Sequence, residues 1–333
     1  MVRLGIRPLS PSQTIETRSD TVSTNCCELR NYIWLRRSVL RNLPLHLILL
    51  LSLVRPAAGQ SPTVADAVAH LRRVAHRVGV RPNIVAADSV GPAFLLPVIG
   101  STPGAFGTFF RSEAVISNFR NAAQRIAISV LKQGVSSGSD PVIIRELKSY
   151  EDGGDLGLVE QDFLQSLGKS GLAAVFVQAV DSDGKADPNG LIDGFTRVWT
   201  NQPPAEGCPN PQGTVSQSLF AVPPDSLSGS QFSGFAVGLR QDENFRTNAG
   251  IVNFSSATQA WTVSVFGTRG STSFRISVPA FSMQQTSLPP GIYGNLELTF
   301  TADPSSVADF RWAAYGSSVD NRSADGWVRQ ASY

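Results

Sequence analysis

Phe110-Arg-Ser-Glu-Ala-Val-Ile-Ser-Asn-Phe119 returns without a gap as Phe245-Arg-Thr-Asn-Ala-Gly-Ile-Val-Asn-Phe254. At this offset residues 110–131 and 245–266 share 10 of 22 positions, where ordinary composition gives roughly one or two. The match predicts an internal duplication, which fixes architecture better than chemistry. Each copy alternates with a period of two, the signature of a strand buried on one face. Phe110, Ala114 and Ile116 fall on one side and Arg111, Glu113 and Val115 on the other; Phe245, Ala249 and Ile251 face Arg246, Asn248 and Gly250 in the same way. Asn-Phe-x-x-Ala-x-Gln follows in both copies, at 118–124 and 253–259. Asparagine tolerates turn geometry, so this segment reads as a hairpin turn, with returning strands that bury Ile126, Ile128 and Val130, and Trp261, Val263 and Val265.

Working outward, 142–147 corresponds to 272–278, 173–180 to 295–300 and 197–200 to 311–319. Val159, Phe163, Leu164 and Leu167 ahead of Gly168 predict a short helix, which the second copy replaces with 283–290. Short strands separated by Gly, Pro, Ser and Asn predict a mainly β protein of two antiparallel β-sandwiches. The first occupies 91–200 and the second 231–333, with a Pro-rich linker at 201–230.

The amino-terminal segment has a different character. Arg36, Arg37 and Arg41 precede an apolar run of 12 residues, Leu43–Val54, and small residues follow at Ala57-Ala58-Gly59. A basic stretch, an apolar stretch and a cleavage site make residues 1–59 a leader with a signal peptide. A membrane anchor is the alternative, but a spanning helix needs about 20 apolar residues, so no stable membrane span is expected. Of 28 basic and 26 acidic residues, 8 and 3 lie in the leader, which leaves 20 against 23 and a net charge of −3. The four lysines, at 132, 148, 169 and 185, are scattered. That balance excludes the clustered cations a nucleic-acid surface needs.

Residues 60–90 hold a short N-terminal amphipathic helix and its linker: Thr63 with Asp66 makes a capping pattern, and Val64, Val68, Leu71, Val74 and Val78 recur at helical spacing. Its basic face fits an anionic membrane, but one short apolar stripe of Val and Leu is more often docked on its own protein or used as a spacer, and the spacer is favoured. Cys208 is the one cysteine beyond the leader, so an intermolecular disulfide is open to it and an intramolecular one is not.

Leu96-Pro-Val-Ile-Gly-Ser-Thr-Pro-Gly-Ala-Phe-Gly-Thr-Phe-Phe-Arg-Ser112, the 245–253 segment and Tyr315-Gly-Ser-Ser-Val-Asp-Asn-Arg-Ser-Ala-Asp325 together resemble a family of secreted bacterial proteins with tandem immunoglobulin-like β-sandwich modules. The resemblance spans about residues 94–325. It implies immunoglobulin-like modules attached to larger surface or exported proteins, and it implies no catalytic residue.

Several constellations test for chemistry. Gly134-Val-Ser-Ser-Gly138 matches a nucleophile elbow, but no histidine follows His76 and no helical pattern follows the motif, so it reads as a hairpin loop. His70 and His76 are six apart, unlike the spacing of a zinc helix. Glu151, Asp152, Asp155, Asp242 and Glu243 lie in loops, where nothing forces two carboxyls across a cleft. Asp181, Asp183 and Asp187 sit close together in a Gly-containing loop suited to calcium, although Lys185 occupies a position where an EF-hand needs oxygen; a polar loop of Asx turns is the alternative. Trp199, Trp312 and Trp327 are candidates for stacking on sugar rings, whereas Trp261 aligns with inward Ile126 and belongs to a core. The expectation is a non-enzymatic structural or adhesive protein, secreted or on the bacterial cell surface, whose partner is an extracellular protein or a polysaccharide. A carbohydrate-binding module is the alternative, with a carboxylate-based hydrolase behind it.

Overall fold

The described residues form sixteen strands, some alternating in burial, as over 245–253 and 259–267, and others buried on both faces, as over 93–101 and 173–180. The computed structural model describes residues 63, 90–152, 158–204, 213–229, 233–304 and 310–333. The chain runs through β1 (Ala93–Pro103), β2 (Phe109–Asn118), β3 (Gln124–Lys132), β4 (Ile143–Leu147), β5 (Leu158–Glu160), the one-turn helix α1 (Phe163–Ser166), β6 (Gly171–Val180), β7 (Ile192–Asn201) and β8 (Thr214–Phe220). It continues through β9 (Ser233–Gln241), β10 (Phe245–Asn253), β11 (Gln259–Gly267), β12 (Gly270–Val278), β13 (Ser282–Ser287), β14 (Gly294–Ala302), β15 (Trp312–Asp320) and β16 (Gly326–Gln330). Every pairing between these strands is antiparallel. The fold is mainly β and sandwich-like.

β1 to β8 form one sheet in the order β4-β3-β6-β1-β2-β7-β8, with β5 on β2; β9 to β16 form two, β13-β10-β15-β16 and β12-β11-β14-β9. Pairing registers correspond. Ile116 lies opposite Leu158 and Gly194, as Ile251 lies opposite Gln284 and Ala314. Ile126 lies opposite Arg145 and Ala179, as Trp261 lies opposite Ile276 and Ala302. Both β1 and β9, the fourth strands counted from β4 and from β12, carry an irregularity, where Leu96 to Ile99 and Ala236 to Leu239 slip against β6 and β14. Ser101–Pro103 pairs with Phe109–Arg111 and joins the two parts of the first sheet. Among the described residues the second half has no such join.

The hairpins expected at 110–131 and 245–266 do not form. β2 pairs with β1, β5 and β7 while β3 pairs with β4 and β6, and β10 and β11 lie in different sheets. Each segment is an arch that crosses from one layer to the facing one. The reason is burial: Ala114 and Ile116 share a core with Ile126, Ile128 and Val130, and Ala249 and Ile251 share one with Trp261, Val263 and Val265. Facing strands cover each other's apolar sides, which paired strands of one hairpin cannot do. Ile116 and Ile251 are both fully buried, as the alternation requires.

A third core lies between the halves. Leu95, Leu131, Ala174 and Phe176 from the outer face of β4-β3-β6-β1 pack with Val252, Met283, Ala313 and Tyr315 from the outer face of β13-β10-β15-β16. Sheets and cores therefore alternate through four layers, and the described residues belong to one compact unit. This packing buries Gly250, expected to face outward, under the Tyr315 ring. The segment 201–230, expected to be a linker, contains β8, which pairs with β7 over seven residues from Thr214 to Phe220. Val222 then exchanges two backbone hydrogen bonds of 2.8 Å with Leu95. Prolines at 203, 204, 223 and 224 flank that strand and hide its alternation, since Pro is confined to strand ends and edges. The leader, residues 64–78 of the amphipathic helix and Cys208 lie outside the described residues. Thr63 makes an isolated antiparallel bridge with Pro141.

Candidate functional site

A concavity lies where β1 leaves β6 and turns to pair with β2. Ser101 is the last residue of β1 opposite β6, at Gly171, and the first opposite β2, at Arg111. α1 closes this corner, held by Phe163 and Leu164, both fully buried in the first core. Asp162 caps the helix by accepting the Gln165 N–H at 3.3 Å. Its second oxygen accepts the Ser101 hydroxyl at 3.0 Å and lies 3.7 Å from Arg111 Nε. At the other end Gly168 is left-handed, with φ +69, and its N–H reaches the Gln165 carbonyl at 2.8 Å, while the Lys169 N–H reaches Leu164 at 3.0 Å. That is a Schellman motif, which needs glycine where a Cβ would be strained. It sets Lys169 and Ser170 at the rim of a cleft of about 450 Å³, lined also by Ser101, Thr102, Phe109 and Gln165.

The wall beside the cleft is an aromatic sandwich. The Arg111 guanidinium lies 4.7 Å from the ring centre of Phe109 and 5.4 Å from that of Trp199. The Trp199 N–H donates to the Gln161 carbonyl at 3.2 Å. Phe109 remains 38 % exposed. Lys132 and Lys185 have carboxylate partners, whereas Lys169 forms no ion pair among the described residues. A ring face, hydroxyls, an amide and an ammonium suit recognition of a small polar ligand more than acid–base work.

The residues singled out from sequence are dispersed. Trp199 packs on Arg111 and does not line this cleft. Trp312 is fully buried against Trp261 and Tyr333, with its N–H on the Gly229 carbonyl at 3.0 Å, so it belongs to the core and offers no surface to a sugar. Trp327 is half-buried beside Phe245, its N–H bound to Gly238 at 2.8 Å, in the other half of the chain. Asp181 accepts the N–H groups of Asp183 and Lys185 at 2.9 Å each, and Asp183 faces the Lys185 ammonium at 3.4 Å. Asp187 holds Arg120 at 2.6 Å and the Asn189 N–H at 2.9 Å. The loop is built of Asx turns, and no group of three or more His, Cys, Asp or Glu among the described residues is placed to hold a metal.

Asp242 and Asp152 are likewise structural in their contacts, and Asp155 lies outside the described residues. Asp242 accepts Arg240 Nε at 2.5 Å and the N–H groups of Asn244 and Phe245 at 2.9 and 3.1 Å. Burial opposes its ionisation, yet these bonds and the Arg240 charge prevail and hold the carboxyl below its usual range. Ser149 donates to Asp152 in a 3-10 turn. Gly134–Gly138 is the loop of the true hairpin between β3 and β4, as its composition indicates.

Phe109, Asp162 and Lys169 escape sequence reading because the cleft draws on four separate segments. The local signals present were the Asp162-to-Gln165 cap and Gly168 at the helix end. Comparison of the chain with known protein families and with curated proteins returns no match. No helix among the described residues is long and apolar enough to cross a membrane.

Proposed function

We propose that this chain is a non-enzymatic structural or adhesive protein, secreted or displayed on the bacterial cell surface, built of two immunoglobulin-like modules that arose by duplication. The observation that carries the reading is the third core. Two modules with corresponding strand registers are bonded through a continuous apolar interface, which makes a rigid two-module spacer in place of a pair of loosely tethered binding heads. The leader with its basic and apolar stretches supports export. A carbohydrate-binding role is the second reading, favoured by Phe109 in a cleft that also holds hydroxyl and amide groups.

Protease treatment of intact cells, with N-terminal sequencing of the exported chain, tests the proposal. The expected result is a chain that begins near Gln60 and is cleaved from outside the cell or recovered from the medium. A chain that stays protected in the cytoplasm with residues 1–59 attached would overturn it.

A further inference from the structure

We infer that the cleft between α1 and the β1–β2 corner is a binding site for a short acidic glycan, pyranose sugars of which one carries a carboxylate. The inference deepens the adhesive reading by naming the class of its partner, and it rests on that reading for the setting in which such a glycan is met.

Three features of the cleft match three parts of such a ligand. The exposed part of the Phe109 ring is a platform for the apolar face of a pyranose, and the Arg111 guanidinium above the ring holds it in place. Thr102, Gln165 and Ser170 present hydroxyl and amide groups that both donate and accept, as sugar hydroxyls do. Lys169 supplies one exposed ammonium without a carboxylate partner among the described residues, a point charge suited to a single carboxylate. The neighbouring cation is already engaged, since Arg111 faces Asp162 and two rings. A phosphate would find neither a bidentate arginine nor a helix N-terminus here, because α1 presents its C-terminal end at Lys169. The cleft volume of about 450 Å³ falls among those of small-ligand sites. Its walls are fixed in advance by the Asp162 cap, the Ser101 bond and the Schellman turn, so binding orders little that is not already ordered.

The test is calorimetric titration of the full chain with a trimer of galacturonic acid and with the corresponding neutral galactose trimer. The acidic trimer is expected to bind about tenfold or more tightly than the neutral one, and to weaken with added salt. Lys169→Ala should abolish the difference between the two, Phe109→Ala should weaken both, and Phe109→Trp should restore binding. Both residues are exposed, and an unchanged melting temperature confirms that the variants are folded. Absence of binding to either trimer, equal binding of both, or binding indifferent to Lys169→Ala and Phe109→Ala would each overturn the site. A chain displayed outside the cell that binds neither trimer loses the site and keeps the adhesive reading; a cytoplasmic chain loses the adhesive reading whatever it binds.

Discussion

The Asn253 amide NH2 lies within hydrogen-bond reach of three carbonyls, those of Ala257 at 3.0 Å, Val278 at 3.0 Å and Pro279 at 2.9 Å, so its two hydrogens are shared among them, and its oxygen accepts the Ser255 N–H at 2.8 Å. Asn118 does the same work in the first half, donating to Ala122 at 2.8 Å and Lys148 at 2.7 Å and accepting the Arg120 N–H at 3.0 Å. Both are fully buried. An arch carries its backbone polar groups across the end of a core, where neither sheet supplies partners, and one amide side chain satisfies them. The shared glutamine adds to this: Gln124 reaches the Val180 carbonyl at 3.3 Å and Gln259 the Asp303 carbonyl at 2.9 Å. Asn253→Ala would leave buried carbonyls without donors, at about 1–3 kcal/mol. Asn253→Asp should cost more, since a carboxylate cannot donate to them. Urea unfolding measures both; an effect of less than about 0.5 kcal/mol for the alanine variant, the size of an ordinary surface change, would remove the arch role. The Trp261 N–H and Ser129 hydroxyl are buried without a partner among the described residues, and nothing in the packing explains them.

At the scale of elements, the β3–β4 loop inserts against β13 and the segment ahead of it. Gly134 donates to the Met283 carbonyl at 3.0 Å, Ser137 to Phe281 at 3.2 Å, and Gln285 to Gln133 Oε1 at 3.3 Å. A Cβ on Gly138 would come within 2.8 Å of the Phe281 ring, which is itself buried in the core between the halves. Gly138→Val is therefore expected to cost about 1–3 kcal/mol through overpacking, while Ser136→Val, exposed in the same loop, should stay within about 0.5. Equal effects in equilibrium unfolding would show that the loop is not docked. The correspondence between the two halves and the turn residues around them made 142–147, 173–180 and their counterparts legible as strands, and the period of two did so for the burial of Ile116 and Ile251. That period could not separate an arch from a hairpin, because both turn the same residues inward. The cover over β10 did have a trace: the Glu113–Arg197 ion pair of the first half is replaced in register by uncharged Asn248 and Ser317, beside apolar or small Gly250, Val252, Ala313 and Tyr315. The cleft left only the Asp162-to-Gln165 cap and Gly168 as signals, because pairing across the β1–β2 corner creates the rest.

For the whole molecule, the stack ends as it does because its two end faces differ from the joined ones. Ala127, Leu131 and Phe176, which build the central core, correspond in register to Thr262, Phe266 and Thr299 on the far sheet, two of them polar. A stacked array needs such polar end faces to stop. Tyr315 lies at the centre of the joined pair, fully buried, with its hydroxyl donating to Gln285 Oε1 at 2.8 Å. Burial raises its pKa far above the ordinary 10.0, because a phenolate there would lose its hydration. A group whose pKa is raised on folding holds its proton in the native state after the unfolded chain has released it. Its contribution to stability is complete below about pH 10 and is lost as pH rises above it, by up to about 1.4 kcal/mol per pH unit. Between pH 9 and 11.5 the unfolding free energy of the wild type should therefore fall with pH. Tyr315→Phe should lower stability at neutral pH by about 1 kcal/mol for the lost hydrogen bond and should flatten the alkaline slope by the share of that one phenol. Because the central core is continuous with both halves, unfolding of the wild type should remain a single transition throughout. Phe176→Ala, which hollows that core, is expected to split it in two by calorimetry. An alkaline slope unchanged in Tyr315→Phe would mean that this phenol is hydrated, and with it the contact between the halves.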